Sequence, residues 1–208
     1  MSKKITKEFC RRVVVMGNIP DGLASTPAQR RAVAAILDTA RQLLPSAPAS
    51  SLIDIAAAAQ VSRSTLYRYF PDRTALVKGL AVQAYAEADE AVRRMLALDL
   101  APLVTLRKVV EAHLALGPTM MFLYADPSIS DDDEFWASLR REGDPVDVLL
   151  ARVRVADAED GMTASWLQRS YWGLLYVGWE SMAEQELSAS EAAELVVRSL
   201  HDGVLGRH

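Results

Sequence analysis

Residues 50–73 read SSLIDIAAAAQVSRSTLYRYFPDR, and their pattern decides the fold. Ser51, followed three positions later by Asp54, resembles a capping box with Asp in place of the more usual Glu. The hydroxyl can accept from a free backbone N–H of the first turn, and the carboxylate lies at the positive end of the helix dipole. Leu52, Ile55, Ala56 and Ala59 follow at helical spacing and make one apolar stripe. Ala56 is small, so a second helix can cross close above it. Val61 plugs the angle between the helices, and Ser62 caps the next one. That second helix is predicted from about Arg63 to Phe70, with Leu66 and Phe70 inward. Pro71 stops it, because the residue before proline is pushed out of helical geometry. Arg63, Ser64, Thr65, Tyr67, Arg68 and Tyr69 are left for the outer and flanking surface. This is the pattern of a helix-turn-helix, whose second helix fits the major groove of DNA with its N-terminal turn nearest the base edges. Arg63 suits a bidentate contact to guanine, worth about 1–3 kcal/mol of discrimination. Thr65, Tyr67, Tyr69 and Arg73 suit phosphate oxygens, which fix position rather than sequence.

The run Asp54-Ile55-Ala56, then Val61-Ser62, then Thr65-Leu66-Tyr67-Arg68-Tyr69-Phe70-Pro71-Asp72-Arg73 and Ala75-Leu76 resembles the N-terminal domain of the TetR (tetracycline-repressor) family. The resemblance implies phosphate contacts at Thr65, Tyr67, Tyr69 and Arg73 and base reading at Arg63 and Ser64. With Ser51 and Arg68 these complete the expected DNA-facing set. The chain departs from the family where Gln60 takes the place of the usual turn glycine. A left-handed Gln60 would cost roughly 1 kcal/mol. The loop before the motif, Leu44-Pro45-Ser46-Ala47-Pro48-Ala49, also lacks the usual glycine and should be stiffer.

Half of the 208 residues are apolar, and long alternating patterns are absent, so the predicted class is all-α. Charge divides the chain. Residues 1–80 carry twelve Lys/Arg against five Asp/Glu, and residues 81–208 carry eleven against twenty-two. A basic head on an acidic body fits a DNA-binding module joined to a part that avoids phosphate. The expected organisation is an N-terminal extension over 1–25, a three-helix helix-turn-helix domain over 26–80 and a helical effector-binding and dimerisation domain over 81–208. Lys3, Lys4, Lys7, Arg11 and Arg12 suit either a groove-following arm or a solvated tail. Cys10 is the single cysteine, so no intrachain disulfide forms. With no secretory h-region and no stretch long enough to cross a bilayer, a cytoplasmic protein is expected.

The first firm helix begins at Thr26, with Pro27 at its first position and Gln29 closing a capping box. A long helix is predicted from Asp72 to about Leu98, shared between head and body and able to carry a tilt from one to the other. Pro102 opens the next helix and Gly117-Pro118 breaks it. A short apolar piece covers Met120 to Tyr124, and one helix is predicted from about Glu134 to Val155. Helix 163–186 and a final helix capped by Ser188 and Glu191 are the most apolar. The resemblance implies that this last pair meets its own copy across a two-fold axis.

The resemblance also implies a small-molecule effector pocket in the body. Its candidate residues are His113, Met120, Met121, Phe122, Trp136, Trp172 and Tyr176, since aromatic faces stack planar or cationic ligands and Met adapts its shape. Core and dimer packing explains the same residues without a ligand. Metal spacing, a phosphate-cradling loop and a nucleophile elbow are all absent, so neither enzyme, metal site nor cofactor is expected. The expected protein is a homodimeric, DNA-binding transcriptional repressor, released from a palindromic operator by an effector. The alternatives are a ligand-independent dimeric DNA-binding interaction protein and an activator.

Overall fold

The computed structural model describes residues 26–139, 143–154 and 163–204. The expected extension over 1–25, Cys10 and the polar connection at 157–161 lie outside the described residues. All the described elements are helical, as the all-α reading requires. In chain order they are α1 (Pro27–Leu43), α2 (Leu52–Ala58), α3 (Arg63–Tyr69), α4 (Arg73–Leu96), α5 (Pro102–Ala115), α6 (Gly117–Ala125), α7 (Asp133–Leu139), α8 (Pro145–Val153), α9 (Ala164–Ala183) and α10 (Ala189–Arg198). A π-helical turn over Ser199–Val204 follows.

The helix starts are where the caps put them. Thr26 and Gln29, Ser51 and Asp54, and Ser188 and Glu191 each form reciprocal capping boxes. One predicted helix is two. Instead of running from Glu134 to Val155, the chain forms α7 and α8, separated at Gly143 (φ +77°). Asp144 caps the new helix by accepting from the Val146 N–H, and Pro145 takes its first position. Asp-Pro is a start signal, because proline's missing donor costs nothing at that point of a helix.

The chain forms two compact units. The first comprises 26–86 with 122–139; the second comprises 87–121 with the described residues from 143 onward. The expected boundary after residue 80 therefore moves. The first part of α4 and the whole of α7 pack with the helix-turn-helix, and Tyr85 belongs there rather than to the body. In this unit Val33, Ile36, Leu37, Ala40 and Leu44 of the first helical segment are buried with Ile55, Leu66, Phe70, Leu76 and Leu80. Gly79 makes the packing possible: a Cβ there would stand 2.9 Å from the Phe70 ring.

In the second unit Leu106, Val109, Val110 and Leu114 of α5 pack with Leu149, Leu150, Tyr171, Leu175, Val196 and Leu200. Gly178 permits a close approach, since its Cβ would lie 3.0 Å from Leu114 and 3.4 Å from Val196. Arg107 of α5 and Glu194 of α10 form an ion pair on the surface.

The tight turn between α2 and α3 is a Schellman closure without glycine. Gln60 has φ +55°. Its N–H donates to Ala57 O (3.1 Å), and the Val61 N–H donates to Ala56 O (3.0 Å). The satisfied carbonyls offset a left-handed penalty of roughly 1 kcal/mol. Gln60→Val, which adds a β-branch at positive φ, is expected to lower the unfolding free energy by more than about 1 kcal/mol. Gln60→Gly is expected to be neutral or stabilising by less than about 1 kcal/mol, because relief of strain is partly cancelled by a freer unfolded chain. Denaturant unfolding checks the order of the two variants, and the reverse order contradicts the turn's strain.

Candidate nucleic-acid interface

α3 is seven residues long and is capped by Ser62, whose Oγ accepts from the Thr65 N–H at 3.1 Å. The same oxygen lies 3.0 Å from Ser64 Oγ and 2.8 Å from Thr65 Oγ1. Three rotatable hydroxyls thus meet at the N-terminal turn, beside the exposed Arg63 side chain. Tyr67 and Arg68 continue the exposed face, with Tyr67 45 % exposed. Leu66 and Phe70 face inward and hold α3 against the rest of the unit. This surface presents a cation, hydroxyl donors and a phenol on one short rod, the set required to reach base edges and phosphates together.

Three expected contacts are placed differently. Tyr69 is only 4 % exposed. It shares the inner side with Leu66 and Phe70 at three- and four-residue spacing, and its hydroxyl accepts from Arg68 Nη2 at 3.0 Å. The Arg68 guanidinium lies 4.7 Å over the Tyr69 ring, so Tyr69 braces Arg68 instead of facing solvent. Ser51 gives its hydroxyl proton to Asp54 Oδ2 (2.7 Å), leaving an acceptor that a phosphate cannot use. That bond and the Ser51 N–H (2.8 Å) hold the Asp54 carboxyl below the ordinary range.

Arg73 is the third. Its Nη1 donates to Ser50 O (3.1 Å), and its Nη2 donates to Pro48 O (2.8 Å) and to Asp126 Oδ2 (2.8 Å). Asp126 is itself fixed, its other oxygen accepting from Ser128 Oγ (2.6 Å) and the Ser128 N–H (3.0 Å). Burial works against the Asp126 charge, but the Ser128 and Arg73 bonds together outweigh it and keep the carboxyl below its ordinary value. Five residues on, the Lys78 ammonium pairs with Asp132 Oδ2 at 2.5 Å and sits 5.0 Å from the Phe135 ring.

The expected effector residues divide between the units. Phe122 and Trp136 belong to the first. Trp136 donates to Ile129 O (2.8 Å) and packs against Tyr124 and Tyr85, whose hydroxyls are 3.2 Å apart. His113, Met120, Met121, Trp172 and Tyr176 belong to the second. His113 is fully buried. Its Nε2 donates to Ala88 O (3.0 Å), because a carbonyl can only accept. Nδ1 therefore accepts from Tyr171 OH (2.7 Å). Desolvation drives the imidazole pKa down to about 4, against the pull of the Ala88 bond. With both nitrogens used, His113 is built into the core of the second unit. Trp172 stacks on its ring at 5.4 Å, and Trp179 Nε1 donates to its backbone oxygen at 3.1 Å. Met120 is buried, Met121 and Trp172 are half-buried, and Tyr176 is exposed.

Among the described residues no group of three or more His, Cys, Asp or Glu is placed to hold a metal ion, and no helix is long and apolar enough to cross a membrane. The capped, outward-facing rod on a three-helix support defines a helix-turn-helix DNA-binding module. Residues 36–80 match the family described as bacterial regulatory proteins of the tetR family. The chain is 34 % identical over 178 residues to the HTH-type transcriptional repressor LfrR of Mycolicibacterium smegmatis, covering 86 % of this chain and 93 % of the relative. The chain belongs to the TetR family, and is a DNA-binding transcriptional regulator rather than an enzyme. Its fold is similar to the crystal structure of LfrR from Mycobacterium smegmatis in complex with proflavine, with TM-score 0.71, 33 % identity, and coverage of 86 % of this chain and 99 % of that one. A TetR-like regulator from Rhodococcus sp. RHA1 shares the fold at TM-score 0.62 and 20 % identity, over 85 % of this chain and 97 % of that one.

Proposed function

We propose that the chain is a homodimeric repressor that leaves a palindromic operator when a small planar effector binds. The exposed N-terminal turn of α3, with Arg63 beside the Ser62, Ser64 and Thr65 hydroxyls, carries the DNA half of this reading. In this reading Arg63 and Ser64 reach base edges, while Thr65, Tyr67 and Arg68 hold phosphates. Tyr69 positions Arg68.

Support for the dimer comes from the outer side of α9 and α10. Trp166 and Val177 on α9 and Leu195 on α10 are between 38 and 60 % exposed. Large apolar side chains gathered on two neighbouring helices mark a face that gains by being covered. A second copy of the same pair covers it with matching chemistry. Two α3 helices then address two half-sites about one helical turn apart.

Support for the effector comes from the similarity to a regulator crystallised with proflavine, and from the partly accessible Trp172, Tyr176 and Met121 of the second unit. An effector acts by preferring a state in which the two α3 helices no longer match the operator. It shifts DNA affinity by no more than its own differential affinity for the two states.

Arg63→Ala is expected to cost about 1–3 kcal/mol on the selected operator while leaving random duplex nearly unchanged. Tyr67→Phe is expected to weaken both alike. Anisotropy titrations on the two duplexes check this, and equal losses in Arg63→Ala would remove Arg63 from base reading. Thermal shift with proflavine tests the effector. Stabilisation should grow with ligand concentration, and DNA release should follow it. A flat response leaves the ligand-independent regulator.

A further inference from the structure

We propose that Gly173 marks the point where the α9 helices of two copies cross, and that Trp166 of each copy seats in the groove at the start of the other's α10. The inference deepens the reading of the chain as a homodimer and rests on it. Gly173 stands in the middle of α9, a helix of 20 residues. Glycine is the least favourable residue inside a helix after proline. Nothing in its own protomer calls for it. A Cβ built there would meet no atom within 4 Å, whereas one at Gly178, on the inner side of the same helix, would stand 3.0 Å from Leu114. Its backbone is ordinary helix, so no left-handed conformation calls for glycine either. A helix turn bare of Cβ on an outer face does have one use, which is to let another backbone come close.

The residues around Gly173 suit a copy related by a two-fold axis. By helical period, Trp166, Arg169, Val177 and Glu180 lie within about 40° of a line through Gly173. All four are exposed, and Leu167, Tyr171, Leu175 and Gly178 are buried on the opposite side. A two-fold axis through Gly173 runs the second α9 antiparallel, so residues equally far on either side of the glycine face each other. Trp166, seven residues before the glycine, meets the partner's Glu180, seven after it. Arg169 comes within about one turn of the same carboxylate. Within one chain the two charges are about 16 Å apart along the helix, too far to pair. The charges therefore complement each other only between copies.

The groove lies at the Glu180 end of that line. The Glu186 and Leu187 N–H groups donate to Ser181 O at 2.9 and 3.3 Å and fold the chain back against the end of α9. Leu187, Ser190, Glu191, Glu194 and Leu195 line an open groove of ≈ 440 Å³. That volume lies in the range that holds drug-sized ring systems. Trp166, at 60 %, is the most exposed large apolar side chain among the described residues. Its indole offers an apolar body to Leu187 and Leu195, and an N–H that needs an acceptor once buried, which Glu191 and Glu194 supply. Each copy gives one indole and receives one, so the contact closes on itself and leaves neither groove open.

The test uses the full-length chain in sedimentation velocity with fluorescence detection, from nanomolar to micromolar concentration, with circular dichroism on each variant. Gly173→Ala is expected to weaken the dimer about tenfold and Gly173→Leu more than about 100-fold, with helix content kept. The sign for Gly173→Ala is diagnostic, because alanine favours the helix of a lone protomer. Trp166→Ala is expected to weaken the dimer about 30-fold, the scale of an interface hot spot. Glu180→Arg should weaken it about fivefold, and adding Arg169→Glu should restore it, since the swap rebuilds the pair only across an antiparallel crossing.

The proposal is overturned if the wild type is a dimer and either Gly173→Leu or Trp166→Ala dimerises as tightly as it does. The homodimer reading then stands, and its interface lies elsewhere. Should Gly173→Leu lose helix content, Gly173→Ala and the charge swap decide. An alanine variant that dimerises as well as the wild type, or a double swap that restores nothing, overturns the crossing. If the wild type itself sediments as a monomer at micromolar concentration, the homodimer reading has failed first and the crossing falls with it.

Discussion

Asp132→Ala is expected to lower the unfolding free energy by about 3–5 kcal/mol, the range for removing one partner of a buried ion pair. The Lys78 side chain is 6 % exposed and that of Asp132 is 28 % exposed. The loss is therefore asymmetric. Without Asp132 the ammonium stays buried against the Phe135 ring; without Lys78 the carboxylate can turn to water. Lys78→Met is expected to cost less, about 1 kcal/mol, since methionine keeps the packing and strands a half-solvated group. Asp132 also caps α7, because its Oδ1 accepts from the Phe135 N–H at 3.0 Å. Asp132→Asn keeps an acceptor for the cap and loses the charge, and should fall between the other two. Burial alone would raise the Asp132 pKa, but the Lys78 bond, the Phe135 N–H and the Lys78 charge outweigh it and hold the carboxyl below its ordinary value. Guanidinium unfolding, with coincident transitions by two probes, measures the series. Equal costs for Asp132→Ala and Lys78→Met would show that water reaches the ammonium.

Acid is expected to destabilise the second unit through His113 by about 2–3 kcal/mol between about pH 7.5 and 4.5. The folded imidazole has a pKa of about 4, against 6.5 for the unperturbed group. Between those values the unfolded chain holds a proton that the folded chain refuses. The His113 contribution is therefore complete above about pH 6.5 and falls as the pH drops toward 4. The cause is structural. Protonation would place a charge at full burial and turn Nδ1 into a donor facing the Tyr171 hydroxyl, which now donates to it. Burial also raises the Tyr171 pKa well above 10, so the phenol remains a donor throughout. The His113 ring resonances should show no titration from about pH 8 to about 5 in the folded chain. A midpoint near 6.5 would contradict the buried, neutral assignment. Tyr171→Phe should cost about 1–3 kcal/mol by leaving Nδ1 without a donor.

Local signals in the sequence located most of the fold. Thr26, Ser51 and Ser188 start helices because a short hydroxyl or carboxylate near free N–H groups is a local event. The buried row from Val33 to Leu44 follows from helical period alone. Asp144-Pro145 carries the same kind of information and divides what helical period alone reads as one helix over 134–155. Tyr69 was legible too, since it stands three residues after the inward Leu66. Arg73 and Lys78 were not. Their partners, Asp126 and Asp132, lie 53 and 54 residues further along the chain. Their sign and exposure fit a solvated acidic loop equally well until the chain is folded. The segment 122–139 that carries those partners packs in the helix-turn-helix unit, and Phe122 and Trp136 lie in it. Gln60 is the converse case: its positive φ was readable from the turn, although its side chain argues against it.

The most direct test of the central claim is the stoichiometry and symmetry of the DNA complex. Duplexes enriched from a random pool by the full-length chain should carry an inverted repeat. Sedimentation of the complex should give two chains on each enriched duplex, with half-sites about one helical turn apart. A single chain bound to an asymmetric site, or no enrichment at all, would contradict a paired helix-turn-helix regulator.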